Sequence, residues 1–527
     1  MAVLELRLTA AAPAIASAVA PWAARLGYPR LRCLPKALHR PRRPRPSTSP
    51  CNGLRCSSTS SGNKSRHKCS PPFNTPSSSP SSGPSATSSD SGTGPFTPDW
   101  EDPVDFAIKS FEDLPHRLFG INQHMIINYE LKEALRIMLR QFNAPIVYCF
   151  AYGSGVFPQD SGSRSITEAD FRTVHPRPPE ALVRSQRGSP KMIDFIFGVS
   201  HTQHWHSVNM KQHRAHYSAV ASLGSGFVSR VQRWGAGVYF NPYVEMDGML
   251  IKYGVTSIDN LVNDLSTWED LYLAGRLHKP VKILRDHPRV RFANQYNLYA
   301  ALRTALLLLP PRFSETDLYS TIAGLSYLGD PRMTLPTEDK SKISNIVSHN
   351  VVHFRRLYAP LVKVLDNVDY AHPVRLDDED WILDPSTDSA LTQDMDPRKR
   401  GNMVRRLPEH FRSRLYFRYR KKLAIPDDDF RRIMDEAGSE DGVRRRQAAP
   451  FERSIAADDA QQLKHIVRQV IKQTVSWPST AQSAKGLLMG GWRRSMRYLG
   501  DKFAKWRKGR SRQAAVADGG GGGNKSD

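Results

Sequence analysis

Two short apolar runs constrain this chain more than anything else in it. Ile146-Val-Tyr-Cys-Phe-Ala-Tyr152 carries no charge and ends in Gly153-Ser154-Gly155; Met192-Ile-Asp-Phe-Ile-Phe-Gly-Val199 carries one carboxylate, Asp194. Runs of this length, rich in aromatic and β-branched residues and stopped by small ones, read as strands. A strand that delivers a glycine-bearing turn lets backbone N–H groups approach phosphate oxygens, because no Cβ stands in the way. An acid on a neighbouring strand can hold the metal ion that such phosphates bring. The pair points to a nucleoside triphosphate handled by metal-assisted chemistry. The bland alternative is an ordinary turn beside an acid held in a structural ion pair.

Other elements follow from local signals. Met125 to Phe142 carries apolar residues at helical spacing. Gln159 to Pro190 is polar and rich in Pro and Arg, which reads as a long loop or insertion. His204 to Ala221 is helix-like and holds His204, His206, His213 and His216. With no Cys partner and no His-Glu-x-x-His spacing, a polar helix surface competes with a zinc site; His206, beside Trp205, is the candidate catalytic member. Asp247-Gly248 lies between two strand-like runs and signals a hairpin. Ser257 or Thr256 can cap the next helix, and Pro280 to Leu284 is one more short strand. From Ala293 the character turns helical: Ala300 to Leu309, a helix opened by the capping box Ser314-Glu-Thr-Asp317, and Lys340 to Tyr358.

The predicted class is α+β. A mixed unit with a small sheet spans 103–285, with 159–190 as the insertion. A helical unit spans 286–372, a surface excursion 373–450, amphipathic helices 451–512 and a disordered tail 513–527.

Charge is concentrated at the ends. Of the formal +24, the stretch Met1 to Asp99 supplies thirteen Lys and Arg against Glu5, Asp90 and Asp99. Residues Lys485 to Arg512 supply ten bases against Asp501. The middle is only mildly basic, which argues against a nucleic-acid-binding surface. An acid-poor, Arg-bearing leader within residues 1–102, followed by a Ser/Pro/Gly-rich linker, has the character of an organelle transit peptide. Cys149 alone among five cysteines falls in the folded part, so no disulfide framework is expected there. No apolar run is long enough to span a bilayer. At the far end Trp492, Met496, Leu499, Phe503 and Trp506 fall on one helical face, with Arg and Lys on the others. Such a helix lies in an anionic membrane interface.

Ordered along the chain are Phe119-Gly-Ile-Asn-Gln123, Tyr152-Gly-Ser-Gly-Val-Phe-Pro-Gln159, Met192 to Val199, Trp205-His206, His216-Tyr217, Gly235-Ala-Gly-Val-Tyr239, Leu250-Ile-Lys-Tyr-Gly-Val255, Tyr272-Leu-Ala-Gly-Arg-Leu277, Lys279-Pro280 and Ala323-Gly-Leu-Ser-Tyr327. Together they resemble the mitochondrial phosphatidate cytidylyltransferases, also called the translocator assembly and maintenance protein family. The resemblance covers about Phe111 to Pro360. It implies a nucleotidyltransferase-type domain, a winged-helix-like domain and a C-terminal membrane-contacting segment. The implied reaction joins CTP and phosphatidate into CDP-diacylglycerol and pyrophosphate, on the route to cardiolipin and phosphatidylglycerol. Its implied place is the matrix side of the mitochondrial inner membrane, held peripherally. The older family name supplies the alternative, a non-catalytic assembly factor for an inner-membrane translocase.

Under this resemblance Tyr152, Gly153, Ser154 and Gly155 face the CTP phosphates, assisted by Arg276 and Lys279. Asp194 is the main ligand of Mg²⁺, with Glu245 and Asp247 as candidate further ligands, although Asp247 also suits the first turn position. Lys252, a cation on a strand, is a candidate phosphate contact. This sequence departs from the family twice: the gap between the Gly-Ser-Gly turn and the Asp194 strand is longer, and Ile196 stands where nucleotidyltransferases generally carry a second acid.

Overall fold

Strand β1 (Tyr148–Tyr152) and strand β2 (Ile193–Val199) are the two apolar runs, and both lie inside a sheet. Phe150, Phe195, Ile196 and Phe197 have no solvent exposure, each such side chain contributing about 1.5–3 kcal/mol by burial. A computed structural model describes residues 122–159, 167–186, 190–334, 341–438, 448–486 and 489, residue 124 excepted. The leader, the linker and the tail residues Trp492, Met496, Leu499, Phe503 and Trp506 lie outside the described residues.

The sheet gains β3 (Tyr239–Met246), β4 (Met249–Ser257) and β5 (Lys282–Arg285), in the order β3-β4-β2-β1-β5. β2 and β4 are parallel and every other neighbouring pair is antiparallel. Asp247 and Gly248 join β3 to β4 with φ of 49° and 71°, the left-handed pair that a two-residue hairpin demands. Gly248 has a second reason to be glycine: a Cβ there would stand 1.9 Å from the Arg177 carbonyl. Ser257 ends β4 and accepts the Asn260 N–H, capping the helix Ile258–Thr267.

The helical part is built around Pro288–Leu308, a 21-residue helix buried on nearly every side. Beside it the capping box of Ser314 and Asp317 opens Glu315–Leu325, as the sequence indicated. A second small sheet has the order β6-β8-β7, with β6 at Arg312–Ser314, β7 at Val368–Tyr370 and β8 at Ala390–Gln393. No helix among the described residues is long and apolar enough to cross a membrane. The α+β class is therefore observed.

Several expected elements take a different form. Residues 159–190 hold two short helices, Glu168–Val174 with a Thr167–Asp170 capping box and Glu180–Ser185. The stretch Lys340 to Tyr358 breaks into Lys342–Ser348 and Val351–Val362, because Asn350 leaves helical geometry and donates to the carbonyls of Pro158 and Ile346. The His-rich segment is helical only over Thr202–Gln212 and continues in 3-10 turns. Residues 376–400 supply β8, whose Leu391 is fully buried.

Candidate active site

The register of three strands aligns one row of side chains. Tyr152 of β1 pairs with Asp194 of β2, and Asp194 pairs with Lys252 of β4. Directly paired residues share a face, so the three project together. Lys252 Nζ lies 3.2 Å from Asp194 Oδ1, both side chains about a quarter exposed. That oxygen is buried and, the Lys252 ammonium apart, meets no donor among the described residues. The turn after β1 closes over the row: the Gly153 carbonyl accepts the N–H groups of Val156 (3.0 Å) and Phe157 (2.9 Å). Gly153 has φ of 79°, and a Cβ there would meet Asp194 Oδ2 at 3.5 Å. Gly155 packs tighter still, its missing Cβ 2.6 Å from the Met192 carbonyl.

Aromatic rings hold the cations. Phe240 of β3 lies against Gly254, where a Cβ would be 2.6 Å from the ring, and it carries Lys252 Nζ 4.8 Å from its centroid. Arg276 sits 3.9 Å from the Tyr272 ring and 5.6 Å from that of Tyr152. Its approach is set by Asp264, whose buried carboxylate accepts the N–H groups of Asp270, Leu271, Leu273 and Ala274 and so shapes the chain into the helix Ala274–Leu277. Lys279 donates to the Gly275 carbonyl and to Ser326 Oγ (2.9 Å), with Tyr327 beneath it at 4.9 Å. Lys342 lies 5.2 Å from the same ring.

The field is positive. Burial, with the charges of Arg276 and Lys342, pushes the Lys279 ammonium down to about 7. Burial alone would raise the Tyr272 phenol, yet Arg276, Arg332 and Lys252 outweigh it and bring it below its usual value. Cations this close, with a carboxylate in their midst, suit a ligand carrying several negative charges.

The structure thus gathers Tyr152, Gly153, Asp194, Lys252 and Arg276 in one place, with Lys279 one helical turn on. It does not bring Glu245 or Asp247 to Asp194. Glu245 is exposed opposite Leu250 on β3, two strands away, and Asp247 occupies the hairpin turn and accepts from Gln141 Nε2. Among the described residues no group of three or more His, Cys, Asp or Glu could hold a metal. Ile196 is fully buried, so a second acid at that place would be desolvated.

His206, the candidate catalytic histidine, lies in the core with both ring nitrogens bonded. Its Nδ1 pairs with Tyr217 Oη (2.9 Å) and its Nε2 with Gln232 Oε1 (2.8 Å), and burial lowers its pKa to about 4. Through Asn209 and Tyr217 this network reaches Tyr253, which neighbours Lys252 on β4 and points to the opposite face. His216 joins it at Tyr253 Oη, so His206 and His216 belong to the core, whereas His204 is exposed and His213 half-buried on the polar surface. Sequence reasoning missed Phe240, Tyr272, Tyr327, Arg332 and Lys342. Tyr272 had a usable signal, four residues before Arg276 within one quoted motif; Arg332 and Lys342 had none.

A mixed sheet whose central row sets one carboxylate between a tyrosine and a lysine, beneath a glycine turn, defines a protein equipped to bind a polyanionic ligand. The model of the family "Phosphatidate cytidylyltransferase, mitochondrial" matches residues 135–505, which include every member of that row. The chain belongs to this family. A relative of that name from Schizosaccharomyces pombe is 42% identical over 269 residues, 51% of this chain and 62% of the relative. One from Saccharomyces cerevisiae is 42% identical over 255 residues, 47% of this chain and 60% of the relative. One from Xenopus laevis is 36% identical over 373 residues, 70% of this chain and 93% of the relative. The match therefore spans about three fifths of the fungal relatives' length and nearly all of the frog protein.

Proposed function

We propose that this chain transfers the cytidylyl group of CTP to phosphatidate, giving CDP-diacylglycerol and pyrophosphate. The observation that carries the reading is a family match spanning the aligned row Tyr152, Asp194 and Lys252 and the turn above it. A phosphate oxygen of phosphatidate attacks the α-phosphorus of CTP and pyrophosphate leaves, so the protein's work is alignment and charge neutralisation. Gly153, Ser154 and Gly155 receive the triphosphate, while Lys252, Arg276 and Lys279 balance its charge. The buried Oδ1 of Asp194, which among the described residues meets only the Lys252 ammonium, suits a metal contact, and Mg²⁺ held there would neutralise charge on the leaving group. On this reading the sheet unit is nucleotidyltransferase-type and the helical unit winged-helix-like. The basic, aromatic tail docks the enzyme peripherally on an anionic surface, at the matrix side of the mitochondrial inner membrane.

The test supplies purified protein with Mg²⁺, CTP labelled at the α-phosphate, phosphatidate vesicles and RNA. Label enters lipid and not RNA, and Asp194→Ala stays folded without that activity. No label in lipid would refute the reaction, and wild-type turnover by Asp194→Ala would refute the role of Asp194.

A further inference from the structure

The stretch that looked like an intrusion between the two halves of the site reaches that site through two buried side chains. Gln186, 6% exposed, donates from Nε2 to the carbonyls of Gly155 (2.7 Å) and Lys191 (2.9 Å), and its Oε1 accepts the Lys191 N–H at 2.8 Å. His175, fully buried, pairs through Nε2 with the same Lys191 carbonyl (3.1 Å) and accepts the Leu250 N–H on Nδ1 at 2.9 Å. One residue pair further, the Arg177 N–H donates to the Gly248 carbonyl at 3.1 Å.

The backbone atoms held in this way are not scattered. Gly155 belongs to the turn over Asp194, Lys191 leads into β2 three residues before Asp194, and Leu250 precedes Lys252 by two residues on β4. Ladder hydrogen bonds fix β1, β2 and β4 against one another, but the turn has left the ladder once β1 ends at Tyr152. Its distance from the Asp194 strand is set by contact between Gly155 and Met192 and by the Gln186 amide, which holds both sides at once. A primary amide is suited to this, because one planar group both donates and accepts.

We propose that Gln186 is a positioning residue for the nucleotide: its amide fixes the glycine turn against the Asp194 strand, and His175 extends the same brace to the Lys252 strand. Through these two side chains the segment then supports the nucleotide site and does not obstruct it. This inference rests on the CTP reading above.

The test compares full-length wild type, Gln186→Ala, Gln186→Glu and the surface control Glu180→Ala. Kinetics are measured with Mg²⁺, CTP and phosphatidate vesicles, CTP affinity by calorimetry and folding by thermal melting. Gln186→Ala raises KM and Kd for CTP about tenfold, the scale of a lost buried hydrogen bond, while the KM for phosphatidate stays within twofold. Gln186→Glu is worse, because a carboxylate oxygen then faces two carbonyls. Glu180→Ala matches wild type. The inference is overturned if both Gln186 variants keep the wild-type CTP constants, or if they lose only folded fraction with KM unmoved. Wild type that binds CTP without making CDP-diacylglycerol refutes the reaction and leaves the calorimetry to decide on Gln186. Wild type that binds no CTP refutes both.

Discussion

Replacing Gly155 by alanine separates what the turn does for the fold from what it does for chemistry. The new Cβ would lie 2.6 Å from the Met192 carbonyl and 3.0 Å from Ile193 Cα, both backbone atoms that cannot swing aside. Ordinary contact begins near 3.4 Å, so turn and strand must part by about 0.8 Å. A shift of that size in a core costs about 1–3 kcal/mol of stability. In the site it moves the glycine turn relative to Asp194, and under the proposed reaction a misplacement near 1 Å costs on the order of 10²-fold in rate. The expected result is a kcat/KM for CDP-diacylglycerol synthesis about 10²-fold below wild type, in protein still folded at the assay temperature. Gly226→Ala is the control, because its Cβ would meet only Gln203 Nε2, at 3.7 Å, on an ordinary helix. Wild-type kcat/KM in Gly155→Ala would refute the claim that the turn-to-strand distance matters.

Three further outcomes follow from buried charges. His206 titrates near 4 when folded and near 6.5 when unfolded; its folded pKa is depressed, so its contribution is complete above 6.5 and is lost as pH falls towards 4. The loss is about 3 kcal/mol, and His206→Asn should flatten the stability profile measured by urea unfolding across that window. Lys279, at about 7, gains a proton when phosphate oxygens arrive, so calorimetry of CTP binding at pH 8 should depend on the buffer's ionisation heat. Lys279→Met should abolish that dependence, and a wild-type heat independent of buffer would refute it. Arg355 and Glu315 form a fully buried pair at 2.8 Å, with Arg355 also donating to the carbonyls of Trp381, Asp384 and Thr387. Arg355→Met strands the carboxylate and should cost about 3–5 kcal/mol in urea unfolding, most of it recovered by adding Glu315→Leu.

What the sequence revealed and what it hid divide along a physical line. The Asp247-Gly248 hairpin, the Ser257 cap and the Ser314–Asp317 box were legible because each is a local bond between residues no more than a few positions apart. The helix at 180–185 was not, because it is short, has no side-chain cap and is tied down by the long-range bond of Gln186, whereas the helix at 168–174 carried a readable local signal in its Thr167–Asp170 box. Lys340 to Tyr358 keeps an apolar period throughout, and only Asn350's bond to Pro158, far back in the chain, accounts for the break. Asp194 and Lys252 could each be singled out by type, but their adjacency depends on the parallel pairing of β2 with β4, which no spacing records. His206 is the opposite case: its chemistry is visible in the sequence and its burial is not.

The cations gathered beside Asp194 are held, among the described residues, mostly by groups other than acids. Acids beside Arg276 and Lys279 would form ion pairs, and an incoming triphosphate would have to break them. Here Arg276 lies over Tyr272 and Tyr152, and Lys279 over Tyr327, with carbonyl and hydroxyl oxygens completing their bonds. Ring faces and neutral oxygens orient a cation without cancelling its charge. Asp330 is kept from them by Arg332, which it pairs with through both carboxylate oxygens. Asp194 is the exception, held against Lys252. Its exposure of about a quarter keeps that pair inexpensive to open compared with a buried one. A site so arranged carries net positive charge, suits the polyanion of the proposed reaction, and sets Asp194 where the turn meets the strand.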